Sequence, residues 1–407
     1  MSYPPASVGG VERLSWAQVC ARRLDRHGLS APWPDATPDA IAAAMCGAHA
    51  QVLSAGELSI GVRAAELTRA DVRAAVDGHS LVKTYGPRGT VHLLPARDLP
   101  MWTGALAAAA APAPAPPRAP APAPPGGRSD GARLTPEQSD AVVAAIAAAL
   151  ADAELTIDEL GEVVVAATGP WAADPVVPAF AGMWPRWRPA LGTAAHRGVL
   201  CFGPTRERRV TYTHPGRWLP GFAPQEPATA LAGLVRRYLH AYGPATPAQF
   251  AQWLGVPRPW AARLFASLDG ELERVDVEGG SEPAWVVSGD TTAPDEPPRG
   301  VRLLPYFDGY AVGCHPRERL FPGPAAARAL SHTGQAGTFP VLLVDGTVAG
   351  VWHQRRSGRR LSVTVEPLRR LTAAQRRELS AGVDRIGAFH GAPADLTVGT
   401  VTARSHL

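Results

Sequence analysis

Lysine is almost missing from this chain: Lys83 is the only one, so 39 of the 40 basic residues are arginine. A mechanism that forms an imine needs a primary amine, so only Lys83 or the N-terminal amine could supply it. Cysteine is scarce as well. Cys20, Cys46, Cys201 and Cys314 are scattered, with no CxxC pair. Neither a zinc site nor a disulfide framework is supported, and each thiol is expected to be a small buried hydrophobe. No apolar run reaches the length of about eighteen residues that a membrane span needs. The start, Met1-Ser-Tyr-Pro-Pro, lacks the basic and apolar regions of a signal peptide. The chain is therefore expected to be cytoplasmic, with no metal, no cofactor and no membrane partner.

What is present describes a globular protein: 407 residues, 46% apolar and 19% charged. That length exceeds one ordinary core and predicts several modules. The net charge of +4, with a pI near 9.1, fits a polyanionic partner only weakly. A genome that favours arginine codons is the expected explanation for most of the arginine bias.

The first module is expected over residues 1–106. A helix spans about 11–29, and a second begins at Thr37-Pro38-Asp39, where threonine caps and proline takes the first helical position. A third starts at Thr68. Two strand-like arms from Ser80 to Pro95 then flank the turn Gly86-Pro87-Arg88-Gly89. Helix, helix, helix and hairpin is the order of a winged helix, and Arg88 at the wing tip suits a DNA phosphate. Residues 107–128 are nearly all alanine and proline, which predicts a linker.

A second module, 129–220, opens at Leu134-Thr135-Pro136-Glu137 and continues with helices from Leu155 and from Trp184. It closes on strands near 199–203 and 209–212. A third, 221–298, has a helix over 231–242, a helix-turn-helix through Gly255, and a wing at 272–287. That wing is acidic and is expected to pack on protein rather than on DNA. From 299 to 407 the pattern turns to strands. Asp345-Gly346 marks one hairpin, and a second carries Arg355, Arg356, Arg359 and Arg360 around Ser357-Gly358. A charge run is usually a solvated face. Four arginines on one projecting hairpin also fit a phosphate clamp.

Within the first module, Ile41–Glu57 places His49 and Gln51 among small residues: Gly47, Ala48, Ala50, Ala55 and Gly56. On a helix, positions two apart diverge by roughly 200° and cannot serve one substrate. Spacing alone thus favours two unrelated helix residues. If both act together, the helix must start, end or kink near 49–51.

Four separated motifs occur in order: Met45-Cys46-Gly47-Ala48-His49-Ala50-Gln51, Gly89-Thr90-Val91-His92-Leu93, Leu303-Leu304-Pro305-Tyr306-Phe307-Asp308, and Val344-Asp345-Gly346 to Gly350-Val351-Trp352. Together they resemble the AlkZ/YcaQ-like bacterial DNA glycosylases over nearly the whole chain. The resemblance implies an α+β fold with three tandem winged-helix motifs in a C-shaped arrangement plus a C-terminal β-rich domain. It implies hydrolysis of the N-glycosidic bond of N7-alkylguanine in double-stranded DNA. It also implies removal of bulky natural-product adducts or interstrand crosslinks, of azinomycin or trioxacarcin type, in repair or antibiotic self-resistance. The family's catalytic motif is commonly Gln, an apolar residue and Gln; His49, Ala50 and Gln51 stand at those positions here. His49 is then a general base or a water-positioner, and Gln51 holds the water or the deoxyribose. Lysine scarcity adds an expectation of monofunctional action without lyase activity, and the lack of a dimer helix one of a monomer. The competing expectation is a non-catalytic winged-helix DNA-binding regulator.

Overall fold

The computed structural model describes residues 12–110, 133–179 and 182–403. Most of the alanine-proline tract lies outside them, but Ala107–Ala110 do not belong to a linker: they are the last turn of the helix Leu99–Ala110. Alanine is the best helix former, so the helix runs on to the prolines that follow.

The described chain is α+β and divides into two compact units, one of residues 1–75 with 235–407 and one of residues 76–234. In the first, the opening helix is Trp16–Arg26, shorter than the sequence predicts. Glu12–Leu14 is instead a strand, paired in parallel with Leu272–Val277, which pairs antiparallel with Ala284–Val287. A parallel partner so distant in sequence leaves no local signal. The helices Pro38–Ala44, Leu53–Gly61 and Arg69–Asp77 follow. After 235 come Pro247–Leu254, ended by left-handed Gly255, and Arg258–Ser267.

The end of the chain forms a five-stranded sheet of Val301–Leu304, Val341–Val344, Thr347–Ser357, Arg360–Pro367 and Ala394–Val398, hydrogen-bonded in that order. Asp345 and Gly346 both have positive φ, 52° and 82°, as the Asp-Gly hairpin turn demands. The expectation of β structure misses an 18-residue helix, Ala373–His390, which Thr372 and Gln375 start with a reciprocal capping box. Its Arg385 donates to the carbonyls of Gly61, Ala64 and Leu67, and Phe389 packs where a Cβ on Gly61 would clash at 2.3 Å. The last helix thereby fixes the end of Leu53–Gly61.

In the second unit, Leu81–Tyr85 and Val91–Pro95 form the expected hairpin, joined by a turn at Pro87–Gly89. Pro136–Leu150 and Ile157–Thr168 both start with capping boxes, at Thr135 and Thr156. The expectation of a helix from Trp184 is overturned. Gly182–Pro185 is a strand paired with Pro175–Ala179, and the helix is Ala190–His196. Prolines at 185 and 189 delay helix formation, since proline pushes its predecessor toward extended backbone. Cys201–Phe202 pairs with Thr211–Thr213, within or beside the two stretches expected to pair, 199–203 and 209–212.

All four cysteines are free and buried. Among the described residues, no helix is long and apolar enough to cross a membrane, and no group of three potential metal ligands occurs.

Candidate active site

The segment around His49 is not helical. Pro38–Ala44 ends at Met45, and Cys46 and Gly47 turn the backbone with φ of 54° and 90°. Ala48–His49 is extended, Gln51 lies in a bend, and the next helix begins only at Leu53. His49 and Gln51 therefore occupy one connecting turn between two helices. Helical divergence no longer separates them. His49 is buried at 9% exposure, whereas Gln51 is exposed.

Long-range contacts hold this turn from several sides. The hydroxyl of Tyr242 donates to the Met45 carbonyl at 2.6 Å. A Cβ on Gly56 would stand 2.8 Å from the His49 carbonyl oxygen, so glycine lets the next helix lie against the turn. The ring of Phe307 covers the imidazole of His49, with centroids 4.6 Å apart and planes inclined by 30°.

Phe307 has a φ of 56°, an uncommon left-handed conformation for an aromatic residue. Its N–H donates to the Gly337 carbonyl at 3.0 Å, and a Cβ on Gly337 would come within 3.0 Å of the Phe307 Cα. The next residue, Asp308, is fully buried and forms a two-point ion pair with Arg63, at 2.7 and 2.8 Å. Ser59 donates to the same carboxylate at 2.8 Å, and the Tyr310 N–H at 3.0 Å. Burial alone would raise the Asp308 pKa; the Arg63 charge and the hydrogen bonds from Arg63 and Ser59 bring it below the ordinary value. His27 completes the cluster, its Nε2 3.1 Å from the Ala241 carbonyl oxygen and its Nδ1 3.5 Å from Arg63. Burial, with Arg63 next, lowers the His27 pKa to about 3, so this ring is neutral at pH 7.

Phe307, Asp308 and Arg63 were not singled out as site residues by the sequence. A signal for two of them existed in Leu304-Pro305-Tyr306-Phe307-Asp308, a run with two aromatics and a carboxylate beside a proline. Arg63 had none.

The expected DNA-contacting residues lie on two hairpins, one in each unit. Arg88 is exposed at the turn of its hairpin in the second unit. Arg355, Arg356, Arg359 and Arg360 are all exposed at the tip of the hairpin Thr347–Ser357 and Arg360–Pro367. Arg360 is engaged by Asp395 at 2.6 and 2.9 Å, which raises its pKa further. Arg356 donates to the Gly358 carbonyl at 3.3 Å. Among the described residues, Arg355, Arg356 and Arg359 have no carboxylate within ion-pair distance.

This chain matches the family described as DNA glycosylase AlkZ-like over residues 42–389, a span that begins just ahead of His49. It is similar to the interstrand DNA cross-link repair glycosylase of Streptomyces sahachiroi, with 33% identity over 355 residues that cover 84% of this chain and 88% of that protein. It is also similar to the solved structure of Streptomyces sahachiroi DNA glycosylase AlkZ, with a TM-score of 0.76 and 29% identity over 95% of this chain and all of that one. On a match across most of its length and on the identity of that relative, the chain belongs to the AlkZ-like DNA glycosylase family.

Proposed function

We propose that the protein is a monofunctional DNA glycosylase that hydrolyses the N-glycosidic bond of N7-alkylguanine in double-stranded DNA. Bulky natural-product adducts or interstrand crosslinks of azinomycin or trioxacarcin type are its substrates, in repair or self-resistance. One observation carries the reading. His49 and Gln51, at the positions of the family's catalytic motif, lie on a non-helical turn whose backbone is fixed at Met45 and His49 and whose histidine is covered by Phe307. The relative from Streptomyces sahachiroi, named for cross-link repair, supports the choice of lesion.

The chemistry asks little of the leaving group. N7-alkylation makes the purine cationic, so breaking the bond from C1′ to N9 returns an electron pair to an already electron-poor ring. The sugar becomes oxocarbenium-like, water adds its oxygen to C1′, and one proton must leave that water. His49 accepts the proton or orients the water, and Gln51 holds the water or the deoxyribose through its amide. A bulky adduct projecting into a groove is hard to flip into a tight pocket. A turn of small residues, with Gln51 exposed, suits approach to a lesion left in the duplex. Three winged-helix motifs in a C-shaped arrangement would supply the cradle, with Arg88 and the arginine hairpin on phosphates and the protein acting as a monomer.

Lys83 supports monofunctional action. It is the only lysine, and its Nζ lies 4.5 Å from the Phe202 ring centre, on a strand of the hairpin in the second unit. Borohydride trapping is expected to give no protein–DNA adduct.

The direct test incubates the protein with duplexes carrying N7-methylguanine or a bulky N7-guanine adduct, then cleaves abasic sites with alkali. Excision is expected, with a loss of at least about 100-fold in His49→Ala and in Gln51→Ala. Full activity of His49→Ala beside an inactive Gln51→Ala would refute the role given to His49, and no excision of either lesion would refute the function.

A further inference from the structure

A second concave site lies in the first unit, away from the His49 turn. It is a cavity of ≈ 300 Å³ formed by the start of the first helix, the helix pair 247–267, the turn at Gly279–Glu282 and the segment His315–Arg319. Its most buried polar side chains are Arg23, at 2% exposure, and His315, at 6%. Buried guanidinium groups are normally matched by carboxylates. Arg63 follows that rule, and Arg23 does not: no acidic group lies within ion-pair distance of it among the described residues. Arg23 donates to two backbone carbonyls, those of His315 at 2.7 Å and Pro244 at 2.9 Å, and its buried Nε–H has no acceptor. Two of its five N–H groups are thus used. The Nε2 of His315 is likewise buried without a partner.

The surrounding groups add to the positive character. Arg319 and Arg258 also line the cavity. Arg319 is held over the Trp16 ring at 4.9 Å, with Arg23 5.5 Å from the same ring, and it donates to the Glu278 carbonyl. Trp16 thereby orients two guanidinium groups of one cavity before any ligand arrives. Gln249 and Gln252 supply neutral amides, and the two carboxylates of the lining, Glu282 and Glu318, are exposed at the mouth. Burial, then Arg317 and Arg23, lowers the His315 pKa to about 3, so the ring enters neutral, with one N–H to give.

We propose that this cavity binds a phosphate monoester, with Arg23 and His315 at its floor and Arg319 and Arg258 closing over the oxygens. The inference is independent of the glycosylase reading. A tetrahedral dianion can accept from guanidinium groups on three separate segments at once, which a planar carboxylate does less well. The exposed carboxylates repel an extended polyanion at the mouth, and a phosphodiester inside a duplex cannot reach a recessed floor. A terminal phosphate can. Two sources share that chemistry: a free nucleoside monophosphate, and the phosphorylated 5′ end at a DNA break.

The test is calorimetric titration of the full chain with inorganic phosphate, deoxyguanosine monophosphate, deoxyguanosine, and nicked duplexes with a 5′-phosphate or a 5′-hydroxyl. Saturable binding of phosphate and the monophosphate, but not of the nucleoside, is expected, weakened at least tenfold in Arg319→Gln and in the double variant Arg258→Gln with Arg319→Gln. Preference for the 5′-phosphorylated nick, lost in the same variants, would also support the site and assign it to DNA ends. Arg319 is half-buried at the mouth, so its variant remains informative if Arg23→Gln fails to fold. Absence of saturable binding by every phosphorylated probe up to about 10 mM, an affinity near the weak limit of specific recognition, would overturn the proposal. So would binding that Arg319→Gln and Arg258→Gln leave unchanged.

Discussion

The turn that carries His49 and the hairpin that carries Arg355 to Arg360 are built in opposite ways. The turn is buried up to Ala50, with Gln51 exposed, and is held by side chains from distant parts of the chain: Tyr242, Phe307 and, behind Phe307, the pair of Asp308 with Arg63. The tip of the hairpin is exposed and shaped by its own ladder, with Ser357 opposite Arg360 and left-handed Gly358 at the turn, and with Asp395 engaging Arg360 from the neighbouring strand. Orienting a water at one carbon requires side chains fixed to a fraction of an ångström, which only packing from several directions provides. Holding a phosphate backbone requires charge at the right place, and a local turn is enough.

On that contrast, the largest effect follows from breaking the support of the turn. Asp308→Ala leaves Arg63 as a buried unpaired cation, and urea unfolding is expected to show a loss of about 3–5 kcal/mol. Replacing both partners with leucine should restore part of this, because the orphaned charge is then gone. Acid acts in the same direction. The folded Asp308 carboxyl is held below its unfolded value of 3.8, so its contribution is complete above that pH and is lost as the pH falls through the lower folded value. An Asp308→Ala variant of wild-type stability would mean that the pair does not brace the site.

The next effect is smaller in stability and larger in rate. Phe307→Ala uncovers the His49 ring without removing a charge, and single-turnover excision is expected to slow by roughly 10–100-fold. Phe307→Leu should recover part of that rate, since an apolar cover returns without the ring face. Unchanged excision in Phe307→Ala would show that the imidazole is held by other contacts.

This division also explains what was legible in the sequence. Thr37-Pro38 located a helix start, Asp345-Gly346 a hairpin turn, and the arginines their own exposed tip, because each signal is local. His49 and Gln51 could be named as a pair, and the need for a break in the helix could be stated. The contacts that hold their turn, from Tyr242 to Met45 and from Phe307 to His49, lie far away in sequence and carry no period. The same reason hid the parallel pairing of Glu12–Leu14 with Leu272–Val277. The helix Ala373–His390 was missed differently: Leu379, Val383, Ile386 and Phe389 recur at helical spacing and Thr372 with Gln375 caps its start, so the signal was local and went unread among the strands around it.

For the hairpin, the expected effects concern DNA and not the fold. Changing Arg355, Arg356 and Arg359 to glutamine should weaken duplex binding. It should also flatten the dependence of log affinity on log salt by up to about 0.9 for each phosphate that is no longer neutralised. Melting temperature should hold, since all three are exposed. Unchanged binding would place the anchor elsewhere.

The smallest effect separates Arg360 from its neighbours. Its guanidinium already meets Asp395 through two hydrogen bonds, so a phosphate must compete with a carboxylate for the same donors. Arg360→Gln is therefore expected to change affinity and salt slope less than any of the other three substitutions. The reciprocal change is more telling. Asp395→Asn removes the competing charge while keeping a similar shape, so it should free Arg360 and steepen the salt dependence, with tighter binding at low salt. Fluorescence anisotropy across a salt series reads both variants. If Arg360→Gln costs as much as Arg359→Gln, the ion pair with Asp395 gives way readily to DNA, and the hairpin presents four available cations rather than three.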